Sequence, residues 1–180
     1  MTPAPSPGTR TLLVYFSRPG ENYWYGGRRD LEVGNTEVLA TMITERVELD
    51  TYRIEAADPY PHDYEETRAR NVREQDQDAR PAIASPLPDV TEYDTVILAS
   101  PIWNVRPPMI MSTFVESVSL EGKRVLPVTT HAMSGLGRSV AVYTELAVGA
   151  TIGQGLAVQG EEVADAGPDL ERWLREVALV

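Results

Sequence analysis

The run Leu12-Leu13-Val14-Tyr15-Phe16, closed by Ser17, decides how this chain is read. Five apolar residues with no polar alternate fit a strand covered on both faces, the situation of a strand inside a parallel sheet. Val96-Ile97-Leu98-Ala99, within residues 93–99, is a second run of this kind. Residues 125–129 are a third, although Pro127 is awkward there because it cannot donate to a ladder. Between these runs the period changes. Val38, Leu39, Met42, Ile43 and Val47 recur at helical spacing over residues 35–47. Residues 52–56 alternate, with Tyr52, Ile54 and Ala56 against Arg53 and Glu55, as an edge strand with one wetter face would. Residues 64–79 are highly charged, with Glu65 and Glu66 early and Arg80-Pro81 after them, and predict a helix that its dipole favours and the proline stops.

The second half repeats the pattern. Pro107 and Pro108 stand where a helix begins, with Met111, Phe114, Val115 and Val118 as its apolar stripe. A helix around residues 139–147 precedes a Gly-interrupted strand over 150–158. Pro168 then opens a closing helix with Leu170, Trp173, Leu174 and Val177 on one face. Strand and helix alternate five times, which predicts an α/β domain with right-handed crossovers. The expected architecture is an open, doubly wound, five-stranded parallel sheet with helices on both faces. The alternating second strand suits a sheet edge, giving strand order 2-1-3-4-5. Residues 11–180 read as one domain with an insertion at about 20–34, and residues 1–10 as a flexible tail.

Composition narrows the function. The 180 residues carry a formal net charge of −11, which disfavours nucleic acid and anionic membranes as partners. There are no cysteines, so disulfides, thiolate zinc sites, a cysteine nucleophile and cysteine-ligated clusters are excluded. His62 and His131 are the only histidines and lie far apart in sequence. The N-terminal stretch lacks the apolar core of a signal peptide, and no apolar segment reaches membrane-spanning length, so a cytoplasmic location is expected.

In such sheets ligands lie beyond the carboxyl ends of the strands where strand order reverses, here at the loops after strands one, three and four. The first loop reads Ser17-Arg18-Pro19-Gly20, detours through residues 21–33 and enters a helix at Gly34-Asn35-Thr36. Free N–H groups at a helix N-terminus hold an anion without a lysine, while Asn35 and Thr36 equally suit a plain helix cap. No dinucleotide fingerprint and no P-loop lysine occur there. The third loop is Ser100-Pro101-Ile102-Trp103-Asn104-Val105-Arg106, whose Trp either stacks on a planar ring or covers the core edge. Arg106 suits an anionic ligand or a surface carboxylate. The fourth loop is Thr130-His131-Ala132-Met133-Ser134-Gly135-Leu136-Gly137, small enough for a backbone to approach a ligand. His131 and Ser134 invite a hydrolase reading, but no nucleophile elbow surrounds Ser134.

Val14-Tyr15-Phe16-Ser17-Arg18, the delayed Gly34-Asn35-Thr36, Ser100-Pro101-Ile102-Trp103 and the loop from Thr130 to Gly137 together resemble the flavodoxin-like family. More narrowly, they resemble flavodoxins whose phosphate loop is split by an insertion. The resemblance implies FMN. By it, Ser17, Arg18, Asn35 and Thr36 hold the phosphate, Pro101, Ile102, Trp103 and Asn104 flank the isoalloxazine, and Thr130, His131, Ser134 and Gly135 line its other side. It also implies a redox partner protein or a small-molecule acceptor, as for an electron carrier or an NAD(P)H- or quinone-type oxidoreductase. A diverged module that has lost FMN and binds without redox chemistry is the alternative. Two departures bear on the site. Asn104 and Val105 stand where a flexible glycine is usual, predicting a stiffer peptide and two-electron chemistry. Ala132 and Met133 fill a usually Gly-rich loop and are expected to crowd the ring. In the insertion, Tyr23, Trp24 and Tyr25 suit a lid, a partner subunit in a homodimer, or a hairpin packed on its own domain.

Overall fold

The computed structural model describes residues 10–180. Its elements run β1 (Thr11–Tyr15), β2 (Gly20–Trp24), β3 (Gly27–Leu31), α1 (Asn35–Thr44), β4 (Asp50–Arg53), α2 (Tyr64–Asp76) and β5 (Thr95–Pro101). They continue with α3 (Met109–Ser117), β6 (Arg124–His131), α4 (Ser139–Leu146), β7 (Thr151–Ile152), β8 (Leu156–Gln159), a 3-10 helix (Gly160–Asp165) and α5 (Gly167–Glu176). All pairs of the main sheet are parallel, in the order β4-β1-β5-β6, with β7 and β8 both on the far side of β6.

That is a doubly wound α/β sheet, but it holds six strands where five are expected, because the last position is split. The cause is Pro127. Val125 O accepts from Gly153 N at 2.8 Å on that side, so Pro127, two residues on, turns its missing N–H toward the same neighbour. The neighbour is interrupted just there. Val125 pairs with Ile152 and Val128 with Leu156, leaving residues 153–155 outside the ladder. The proline is thus tolerated in a central strand because its neighbour bulges past it.

Successive residues of each strand face opposite sides, and each side has its own core. Leu12, Val14, Val96, Leu98 and Val125 pack with Ile110, Phe114, Val115 and Tyr143 of α3 and α4. Leu13, Ile97, Ala99, Leu126 and Val128 pack with Leu39 and Ile43 of α1 and with Leu170, Trp173 and Leu174 of α5. Burying each large side chain contributes about 1.5–3 kcal/mol, so the three of α5 account for its docking. Its last anchor, Val177, lies just past the helix and is also buried. Trp173 Nε1 donates to Gln154 O at 3.0 Å and satisfies its one polar atom.

The insertion is the hairpin β2–β3, turned by Tyr25 and Gly26 with φ of +46° and +83°. Left-handed values at both central residues are what a two-residue hairpin requires. The hairpin packs on its own domain: Glu21 N donates to His62 O at 3.0 Å. Of the stretch read as a flexible tail, residues 1–9 lie outside the described residues. Arg10 is tied down, to Asp50 at 2.8 Å and to Glu92.

Candidate functional site

The carboxyl ends of β1, β5 and β6 meet at a cleft of about 300 Å³. Eleven of the twelve expected residues line it: Ser17, Arg18, Asn35, Thr36, Pro101, Ile102, Trp103, Asn104, Thr130, His131 and Ser134. Gly135 stands behind the wall, its carbonyl accepting from Thr129 Oγ1 at 3.0 Å.

At one end the cleft is floored by the start of α1. Gly34 precedes the helix and has no side chain to cap it, so Ser17 Oγ reaches across to accept from Glu37 N at 3.0 Å. Only glycine permits this approach, because a Cβ at residue 34 would stand 2.3 Å from Ser17 Oγ. With Glu37 N capped, the N–H groups of Asn35 and Thr36 are left for a ligand, where the helix dipole favours an anion. Thr36 Oγ1 and Thr130 Oγ1 lie 2.7 Å apart, buried, and tie the helix start to the end of β6.

Arg18 carries a structural role beside its place in the cleft. Its guanidinium is buried and donates to main-chain carbonyls: Glu21 O at 2.7 Å, Pro61 O at 2.9 and 3.1 Å, and His62 O at 2.6 Å. These bonds fix the hairpin base to the segment ahead of α2, and burial pushes the guanidinium pKa down from its ordinary value. Arg18 is thus a strut with most of its five N–H donors committed, Nη1 making only one bond, while it also lines the cleft.

The wall after β5 is a miniature hairpin. Trp103 N donates to Arg106 O at 2.9 Å and Arg106 N returns to Trp103 O at 3.3 Å, across Asn104 and Val105 with φ of +48° and +62°. Asn at the first position is usual for this turn, whereas a β-branched residue at the second is strained. Helix α2 holds the turn from behind: Gln75 Nε2 donates to Trp103 O at 3.0 Å, and Asn104 Nδ2 to Gln75 Oε1 at 2.8 Å. The fourth loop holds its tip, since Arg138 N donates to Val105 O at 2.8 Å. Gly137, at φ +52°, lies so close that a Cβ would be 2.4 Å from Val105 O. Trp103 packs edge-on against Phe16 and Tyr60, at centroid distances of 5.6 and 5.1 Å. Arg106 donates to Ser112 Oγ at 3.3 Å and pairs with no carboxylate among the described residues.

Ala132 and Met133, the residues expected to crowd the ring, both line the cleft, Ala132 partly buried and Met133 82% exposed at the rim. Two polar atoms at the cleft stand buried without partners among the described residues, His131 Nδ1 and Glu161 Oε2. Burial lowers the His131 pKa, with Glu161 opposing, so the imidazole is biased toward its neutral form. Sequence reasoning missed Glu161, Gly160 and Tyr64 as cleft residues, along with the clamp Gln75. Asn22 and Tyr23 of the hairpin also line it, so the aromatic insertion does reach the site. Gly160 has a readable reason: a Cβ there would come within 2.5 Å of Asn35 Nδ2.

A family model described as flavodoxin matches residues 32–177. No curated protein matches the sequence. Among solved structures, a candidate flavoprotein from Bacteroides eggerthii is 27% identical with a TM-score of 0.73, the match covering 96% of this chain and 100% of that one. One from Bacteroides uniformis is 27% identical with a TM-score of 0.71, covering 91% and 99%. A flavoprotein from Lactobacillus acidophilus in complex with FMN shares the fold at 18% identity and a TM-score of 0.61, covering 88% and 98%.

Proposed function

Because the chain belongs to the flavodoxin family, we propose that it is an FMN-binding redox protein and that the cleft beyond β1, β5 and β6 is its flavin site. The observation that carries this reading is the convergence of residues from three separate loops on one cleft, graded in chemistry from end to end. The donors at the start of α1 suit a phosphate. The unpartnered Glu161 Oε2 and His131 Nδ1 suit hydroxyl groups, since each can accept a hydrogen bond. Trp103 and Ile102 on one side and residues 130–134 on the other suit a flat ring.

When bound, FMN supplies the electron or hydride chemistry itself. The chain's part is to bind and orient. Asn35 and Thr36 would hold the anionic end, and Glu161 and His131 would offer acceptors to its hydroxyl groups. The Trp103–Arg106 turn, held by Gln75 and Arg138, fixes one wall. A wall held at both ends fits two-electron exchange better than one-electron exchange.

The test is a UV–visible spectrum after incubation with FMN and removal of the excess. Bands near ~375 and ~450 nm at one flavin per chain are expected, and reductive titration should pass from oxidised to reduced spectrum through fixed isosbestic points. A colourless protein that refuses FMN overturns the reading.

A further inference from the structure

Helix α4 begins with the wrong sign of charge. Its N-cap is Arg138, no side chain caps it, and its first turn holds no acid. A cation there opposes the helix dipole, which favours negative charge at that end. Arg138 N donates to Val105 O at 2.8 Å and Ser139 N to Leu136 O at 3.0 Å, while Val142 N bonds Arg138 O at 2.9 Å. The Val140 and Ala141 N–H groups in between have no partner among the described residues.

A second arginine stands beside this helix start. Arg106 follows Val105, and its half-buried guanidinium makes two long bonds, to Ser112 Oγ at 3.3 Å and to Pro107 O at 3.5 Å. Burial lowers its pKa, and the Arg138 charge lowers it further. Asp78 acts the other way but is itself paired with Arg80 at 2.8 Å. The Arg138 side chain is exposed and pairs with nothing among the described residues. Two hydroxyls on the same helix are also unspent. Ser139 and Tyr143, one turn apart, are 0% and 1% exposed, yet neither Ser139 Oγ nor Tyr143 Oη has a partner among the described residues. Ser100, beside Tyr143, spends its proton on Pro101 O at 2.9 Å, and the Arg106 charge reaches Tyr143. The hydroxyl-bearing face of α4 therefore looks toward Arg106.

We propose that the start of α4 is an oxyanion site for a phosphate dianion, free or as a monoester, held by the Arg106 and Arg138 guanidiniums and the Val140 and Ala141 N–H groups, with the Ser139 hydroxyl as a further donor. Two cations and the helix end sum to about +2.5 charges, which a dianion balances better than a carboxylate does. Guanidinium forks and a helix N-terminus both suit phosphate oxygens. None of these residues lines the flavin cleft, so the site does not rest on the FMN reading.

The test is titration of inorganic phosphate into isotope-labelled protein at low salt and about pH 8, where phosphate is a dianion, following each amide by NMR. The Val140 and Ala141 amides should shift saturably, with millimolar affinity. Arg138→Gln, at an exposed side chain, should weaken binding about fivefold, and Arg106→Gln about tenfold. Arg175→Gln removes the same charge from an exposed position of α5 and should change it less than about twofold. Acetate should bind at least about fivefold more weakly than phosphate. Phenyl phosphate separates the sources: equal or tighter binding identifies an ester, weaker binding the free ion, and either supports the site. The proposal is overturned if Val140 and Ala141 do not respond, or if only Asn35 and Thr36 do, which would assign the phosphate to the cleft. It is equally overturned if acetate matches phosphate, or if Arg175→Gln costs as much as Arg138→Gln, which would reduce the effect to overall charge. Phosphate binding here by a protein that takes up no FMN would leave the site standing and sink the proposed function alone.

Discussion

At Val105 a β-branched side chain occupies φ +62° while 51% exposed. Its methyls crowd its own backbone and gain little packing in return. The left-handed region costs such a residue on the order of 1–3 kcal/mol, and the structure overcomes this with the Arg138 N–H on its carbonyl and the Gln75 clamp beside it. Val105→Gly removes the strain but adds freedom to the unfolded chain, worth roughly 0.5–1 kcal/mol in the other direction. The net expectation is a gain of about 1 kcal/mol, which for a chain of this size raises the melting temperature by roughly 2–4 °C. Val105→Ala, which keeps a Cβ at positive φ, should gain less. A glycine variant that melts below the wild type would mean that the Val105 methyls make contacts worth more than the strain. The sequence announced this position as a departure from glycine; it could not announce that helix α2 and the chain at Arg138 hold it in place.

Helix α2 is the element whose task was least legible. Its charge pattern placed it correctly from Tyr64, but a helix without an apolar stripe reads as a solvated face, and nothing local says that Thr67, Asn71 and Glu74 point inward. Long apolar periodicity was readable: α1, α5 and β5 lie where their patterns put them, because burial against the sheet is the force that sets them. The split last strand was half-readable, since Pro127 and the interrupting glycines were each visible but their opposition across the ladder needs the register. Glu161 and Gly160 escaped because the 3-10 helix after β8 has too few residues to show a period. The function of α2 can be measured through Gln75. Gln75→Ala deletes both bonds to the Trp103–Asn104 turn, one partly buried and one exposed. Chemical denaturation should show a loss of about 1–1.5 kcal/mol with an unchanged m-value. Trp103 emission should shift to the red as the turn loosens. An unchanged midpoint would mean that Arg138 alone holds the wall.

Across the whole molecule, 27 acidic residues face 16 basic ones, and the basic ones near the cleft are largely committed. Arg18 is buried on carbonyls, and Arg28 is bonded to Glu65 at 2.8 Å. A phosphate approaching the Asn35–Thr36 helix start therefore meets a local positive end inside a global negative field. The two differ in reach. Direct N–H contacts lie within a few ångströms and are little screened. The field of the distributed charge acts over the Debye length, about 10 Å at 0.1 M salt and about 30 Å at 0.01 M. Raising the salt should then remove more repulsion than attraction. FMN affinity is expected to rise about two- to fivefold between roughly 10 and 300 mM sodium chloride, the opposite of what a lysine-built phosphate site gives. Fluorescence titration of FMN across that range measures it, with neutral riboflavin as the control that should respond less. A dissociation constant that rises with salt would mean that the Arg18 charge, though most of its donors are spent, still dominates the potential at the phosphate.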